Sequence, residues 1–153
     1  MEIQNFWDLT APATFEPITP ASIKRAETEL NVQLPAQFIE LLRIKNGGRT
    51  AEMVLHAADI SIWIDGKYEI DELFGINDQD AKELGILSTA YLTSEWDLPE
   101  KQVLLLGDGH WWITLDYRLN TQEPTVNWIE PDAERDVVIA NTFEEFIKKL
   151  LPA

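Results

Sequence analysis

Leu104-Leu105-Leu106-Gly107-Asp108-Gly109-His110-Trp111-Trp112-Ile113-Thr114-Leu115-Asp116-Tyr117-Arg118 is the stretch that decides how this chain is read. An apolar run, a tight Gly-Asp-Gly turn and a second, alternating run follow one another closely, as in a β-hairpin. Successive side chains of a strand point to opposite faces. Trp111, Ile113, Leu115 and Tyr117 therefore share one side, and Trp112, Thr114 and Asp116 the other, the pattern of an antiparallel strand with one buried face. The hairpin is expected at the centre of a sheet, with upstream segments leading into it and later strands and a last helix closing over it.

The 153 residues suffice for one domain that buries roughly 70% of its unfolded surface. A content of 45% hydrophobic and 25% charged residues is that of a folded globular chain, so a real core is expected. No apolar run approaches the roughly 18 residues of a membrane-spanning helix, and Met1-Glu2-Ile3-Gln4-Asn5 lacks the basic start of a secretory signal. The absence of cysteine removes disulfides, zinc thiolates and thiol nucleophiles, and a cytoplasmic location is expected.

Charge is the most informative total. Twelve Lys and Arg against 27 Asp and Glu give −15, which opposes nucleic acid and anionic membrane as partners and favours a basic one. The excess is concentrated. Asp59 to Glu100 holds eleven acids against Lys67 and Lys82, or −9. Such a run can be simply a solvated face, or a docking surface for a cationic protein.

Outward from the hairpin, residues 1–17 read as an arm that starts with a short helix and packs on the body through Phe6, Trp7 and Phe15; residues 18–153 form the domain proper. Thr19 is placed to cap a helix beginning at Pro20, with Ile18 stapled to Ile23 and an end near Leu30 and Asn31. Leu34-Pro35 opens a second helix burying Phe38, Leu41 and Leu42, and Asn46-Gly47-Gly48 ends it. Strands are expected at Met53–Leu55 and Ile60–Ile64, a type I′ turn at Asp65-Gly66, and a strand from Tyr68 that turns at Gly75. Asn77-Asp78-Gln79-Asp80 begins like a calcium loop, but the later Gly and bidentate Glu are out of register, so it reads as a polar loop or helix cap. A single helical turn is expected near Tyr91–Trp96.

Downstream, Val126, Trp128 and Val137-Val138-Ile139 supply two further strands. Thr142-Phe143-Glu144-Glu145 forms a capping box for a final helix whose stripe is Phe143, Phe146, Ile147, Leu150 and Leu151. The fold class is α+β: a mostly antiparallel sheet with an N-terminal helical hairpin and a C-terminal helix packed on it.

Candidate chemistry is sparse. Asp108 and His110 could form an acid/base pair or share a metal, as in a hydrolase or metal-dependent enzyme. A tight turn accounts for Gly107, Asp108 and Gly109 without catalysis, and His56 is the only other histidine. The serines lie in no Gly-x-Ser-x-Gly context, and Asp71-Glu72 and Glu144-Glu145 are better explained by exposure and a helix start. No cofactor or metal is expected. Trp111 and Trp112 cannot share one strand face, so one must lie on the opposite side, and Trp112 is expected outward. Exposed Trp beside carboxylates suits a protein interface. The candidate partner-binding set is Trp63, Asp65, Glu69, Asp71, Glu72, Asp78, Asp80, Trp96, Asp108, His110 and Trp112.

The ordered motifs resemble the SUKH superfamily, in its branch related to the fungal Smi/Knr cell-wall-assembly regulators and many bacterial toxin-immunity proteins. The resemblance is carried by Ile18, Glu27, Leu34-Pro35, Phe38, Asn46-Gly47-Gly48, Ile70–Ile76, Gly85-Ile86-Leu87, Tyr91-Leu92, Glu95–Pro99, Leu106–His110, Trp112-Ile113, Leu115–Arg118, Pro124 and Ala140, Thr142, Phe143 and Phe146. Asp97 stands where that pattern commonly has Gly. The resemblance implies an α+β fold and, for bacterial members, a non-enzymatic immunity protein that binds a cognate toxin, often a nuclease; the chain's acidity points to a basic toxin, and a monomer or weak homodimer is expected. An adaptor of the same fold that binds endogenous proteins is the alternative.

Overall fold

The computed structural model describes residues 1–56, 60 and 66–153. Helix α1 (Pro20–Leu30) starts where Thr19 and Ser22 serve each other: the Thr19 hydroxyl accepts the Ser22 N–H at 3.1 Å and Ser22 Oγ accepts the Thr19 N–H at 2.8 Å. It ends at Asn31, whose left-handed backbone (φ 55°) turns the chain toward α2 (Ala36–Ile44). α2 buries Phe38, Leu41 and Leu42, as their spacing along one face requires.

The chain then enters β1 (Gly48–His56), which pairs antiparallel with β2 (Lys67–Leu73) and, on its other side, with the two-residue β7 (Leu151–Pro152). The N-terminal arm is seated on this sheet. Trp7 and Ala13 bridge to Thr50 and Gly48, and the Trp7 indole N–H donates to Leu41 O at 2.8 Å. Lys45 is buried beneath the arm, its ammonium donating to Asp8 O and Arg49 O and lying 5.5 Å from the Trp7 ring centroid. That burial lowers its pKa. Expected strand Ile60–Ile64 and the turn residue Asp65 lie outside the described residues apart from Ile60 itself.

A second sheet has the order β3 (Gln102–Gly107), β4 (Trp112–Asp116), β5 (Thr125–Glu130), β6 (Arg135–Ala140), all antiparallel. The expected central hairpin is thus displaced: β3 is an edge strand, linked to the first sheet's end by the Phe74 N–H donating to Leu105 O at 2.8 Å. In place of a single turn, an eight-residue helix, α3 (Thr89–Trp96), precedes β3. It buries only Thr89 and Leu92, too sparse a stripe to read as a helix. Helix α4 (Phe143–Lys149) closes the core, with Phe143 edge-on to Phe38 at 5.4 Å. Thr142 caps it as expected, but Glu145 takes the Asn141 N–H, one residue earlier than in a standard capping box. Leu151 leaves the helical stripe for β7 and is exposed.

β4 is buried on both faces, not one. Trp111 stacks on Trp128 at 4.7 Å on the core side, with the Tyr68 ring edge-on at 4.4 Å. On the other side Thr114, Gln102 and Asn127 are buried yet satisfied. Thr114 donates to Gln102, Gln102 and Asn127 donate to opposite oxygens of Asp116, and Asn127 also donates to Asp136. Arg118 bridges Asp116 and Asp136. A polar face that satisfies itself in this way can be buried without large penalty.

Candidate protein-binding surface

The site begins with the turn between β3 and β4. Asp108 Oδ1 accepts the His110 N–H at 2.9 Å and the Trp111 N–H at 3.3 Å, so the carboxylate holds the turn's own backbone. The acid/base pair envisaged for Asp108 and His110 is therefore replaced by another: His110 Nδ1 lies 3.4 Å from Asp132 Oδ2, on the turn after β5, and both side chains are exposed. Gly109, at φ 103°, occupies a conformation that L side chains rarely adopt. Its missing side chain leaves room for Trp96, the last residue of α3, whose ring also lies 6.2 Å from that of His110.

Trp96 is 38% exposed and Tyr91, five residues earlier on α3, 62%. Trp96, Asp108 and His110, from the candidate set, come together here, joined by Asp132. Glu69, Asp71 and Glu72 lie exposed on β2. Glu69 and Asp71 share with Glu52 a cleft of about 340 Å³ along the first sheet. Tyr68, whose ring packs edge-on to Trp111 and Trp128, has its phenol pKa raised, first by burial and then by the negative charges of Asp71, Glu72 and Asp108. Glu72 is itself pushed up by partial burial and by its neighbour Asp71.

Other members of the set fall elsewhere. Asp78 accepts the Glu16 N–H with both oxygens at 3.2 Å and ties the loop to the N-terminal arm, with Asp80 exposed beside it. Trp112, expected outward, is only 2% exposed, because the second face of β4 is also covered; its indole nitrogen has no partner among the described residues. Trp63 and Asp65 lie outside the described residues. Among the described residues no cluster of three or more His, Asp or Glu is arranged to hold a metal, and no helix is long and apolar enough to cross a membrane.

Sequence reasoning missed Tyr68, Asp132 and Glu52. The alternation of β2 does contain Tyr68 and so offered a signal for it. Asp132 meets His110 only through the packing of two turns 22 residues apart, which leaves no local trace.

Much of the motif set named above turns out to be structural. The buried Asn46 amide donates to Glu16 O and Ile76 O and accepts the Ile76 N–H at 2.8 Å. Gly47 (φ 81°) lies so close to Gly75 that a β-carbon on it would sit 2.6 Å from the Gly75 nitrogen. Asn77 accepts the Leu87 N–H at 2.8 Å and donates to Ser88 Oγ at 3.0 Å, fixing the entry to α3. These clamps hold the turns of the fold in place. No curated protein matches the chain. The SMI1 / KNR4 family (SUKH-1) matches residues 17–149, spanning β1 and β2 of the first sheet, the whole second sheet and all four of the described α-helices, and the chain belongs to that family.

Proposed function

We propose that this protein is a non-enzymatic binding module, an immunity protein that neutralises a basic cognate toxin in the cytoplasm by direct binding. The observation that carries this reading is the acidic surface: β2 exposes Glu69, Asp71 and Glu72, the β3–β4 turn exposes Asp108, and α3 exposes the aromatics Tyr91 and Trp96, in a chain of net charge −15. A field of one sign raises association rates with an oppositely charged partner by about 10- to 1000-fold, the property needed to cap a toxin before it acts. Members of the wider superfamily that serve as immunity proteins supply the biological setting.

The test is co-expression with the toxin domain encoded beside the gene. Restored growth and a stable complex support the reading; a toxin that still kills and does not co-purify ends it. The family's SMI1 / KNR4 description favours one alternative, an adaptor that binds endogenous proteins. That role predicts a growth or cell-wall defect on deletion in a strain lacking any neighbouring toxin gene.

A further inference from the structure

The Gly107–His110 turn acquires a use once Trp96 is considered with it. Gly109 carries no β-carbon, and the Trp96 indole packs into the space one would occupy. The ring is thus held in place before any partner arrives, while 38% of the residue remains exposed. His110 stands 6.2 Å from it, and Asp132 stands 3.4 Å from His110. Glu95 and Asp97 flank Trp96 in the sequence, and Asp108 lies in the same turn; all three are exposed.

We propose that Trp96 and this turn form a preformed seat for an arginine side chain of a basic partner protein, the guanidinium lying over the open part of the indole and pairing with the exposed carboxylates of the turn and of the end of α3. This rests on the protein-binding reading above and specifies the chemistry of its surface. An apolar partner would desolvate the carboxylates without compensation, and an anionic one would be repelled. Arginine suits the place better than lysine because its planar guanidinium stacks on a ring, accepts paired carboxylates and is less tightly hydrated. Because the indole is already fixed, little ordering entropy is lost when the cation arrives.

The test uses the full chain, ¹⁵N-labelled, titrated with a short capped Gly-Arg repeat peptide and with its Gly-Lys counterpart. The arginine peptide should shift the Trp96 indole N–H and the Gly109 and His110 amides, and should bind more tightly than the lysine peptide. Trp96→Ala and Trp96→Leu, the second keeping apolar bulk without a π face, should each weaken the arginine peptide about three- to fivefold and remove its advantage over lysine. Equal binding of the two peptides, shifts confined to Glu69 and Asp71, wild-type titration of both variants, or no shift at all overturns the proposal. A toxin complex that forms while Trp96 stays silent in this titration removes the seat and leaves the immunity reading standing. Arginine binding at Trp96 in a chain that protects against no toxin does the reverse.

Discussion

A β-carbon added to Gly109 would sit 2.5 Å from two carbons of the Trp96 indole, so a residue of the β3–β4 turn fixes the position of the last residue of α3. Gly109→Ala should therefore do two things. The left-handed backbone at φ 103° costs a β-carbon about 1–2 kcal/mol, and the indole must move away. Urea unfolding should show that loss, and Trp96 emission should shift to the red. In a Trp96→Ala background the penalty should shrink to the backbone part alone; an unchanged penalty would mean the contact carries no energy.

Trp112 and Trp128 are both buried, but they differ in what their indole N–H groups do. The Trp128 N–H donates to the buried Glu130 carboxylate at 2.8 Å, whereas that of Trp112 meets no acceptor among the described residues. Trp112→Phe loses volume but also removes a donor buried at a cost, so about 1–2 kcal/mol is expected. Trp128→Phe takes a donor from a buried carboxylate and should cost about 3–4 kcal/mol. Equal losses in denaturant midpoint would refute this ordering.

Asn46 bridges the arm and the end of β2 through three hydrogen bonds to buried or half-buried backbone. Asn46→Ala strands those groups, and about 2–4 kcal/mol should be lost, with the slope of the urea transition unchanged. A comparable loss is expected from Asn77→Ala, whose side chain fastens the Ile86–Ser88 turn.

The contrast between Thr19 and Trp112 shows how far the sequence could be read. A cap such as Thr19 acts within one helical turn, so its partners are encoded a few residues away and were legible, down to Pro20 and the left-handed Asn31. Alternation along β4 separates two faces but does not say what covers each: Gln102 and Asn127, the partners of Thr114 and Asp116, come from the strands on either side, and Asp136, which holds Asn127, from a third. The polar residues that suggested a solvated face form a satisfied interior layer. The candidate surface was legible as composition, acidic and aromatic, while its assembly from α3 and two turns depends on tertiary packing.

Asp116 offers a pH test. Burial works against its charge, but hydrogen bonds from the side chain and backbone of Arg118, and then from Gln102, outweigh this and hold its pKa below the ordinary carboxylate value. A carboxylate depressed in the folded state gives stability that is fully present above its unfolded pKa, near 4, and is lost as pH falls through the lower folded value. Asp116→Asn should accordingly destabilise by about 1–3 kcal/mol at neutral pH. Its deficit relative to wild type should narrow progressively below about pH 4, as protonation removes the same charge from the wild-type protein. A gap constant from pH 7 to strongly acidic solution would show that the Arg118 pair contributes nothing.

The carboxylates of β2 should act on association more than on the bound state. Glu69 and Asp71 are exposed, and Glu72 is open to solvent although its carboxyl is partly desolvated, so each pair they could form with a partner's cation is largely solvent-screened and worth about 0.2–1 kcal/mol. Their joint field nevertheless extends about 10 Å at 0.1 M salt and guides an approaching basic protein. If the partner is the basic toxin domain proposed above, the triple change Glu69→Gln, Asp71→Asn, Glu72→Gln should slow association with it about tenfold at low salt, with a much smaller change in dissociation. The difference from wild type should fade as ionic strength rises toward 1 M, where the screening length is about 3 Å. Stopped-flow rates across that range decide the matter. An effect carried mainly by the dissociation rate and insensitive to salt would mean that these side chains are buried contacts of the complex and not its steering field.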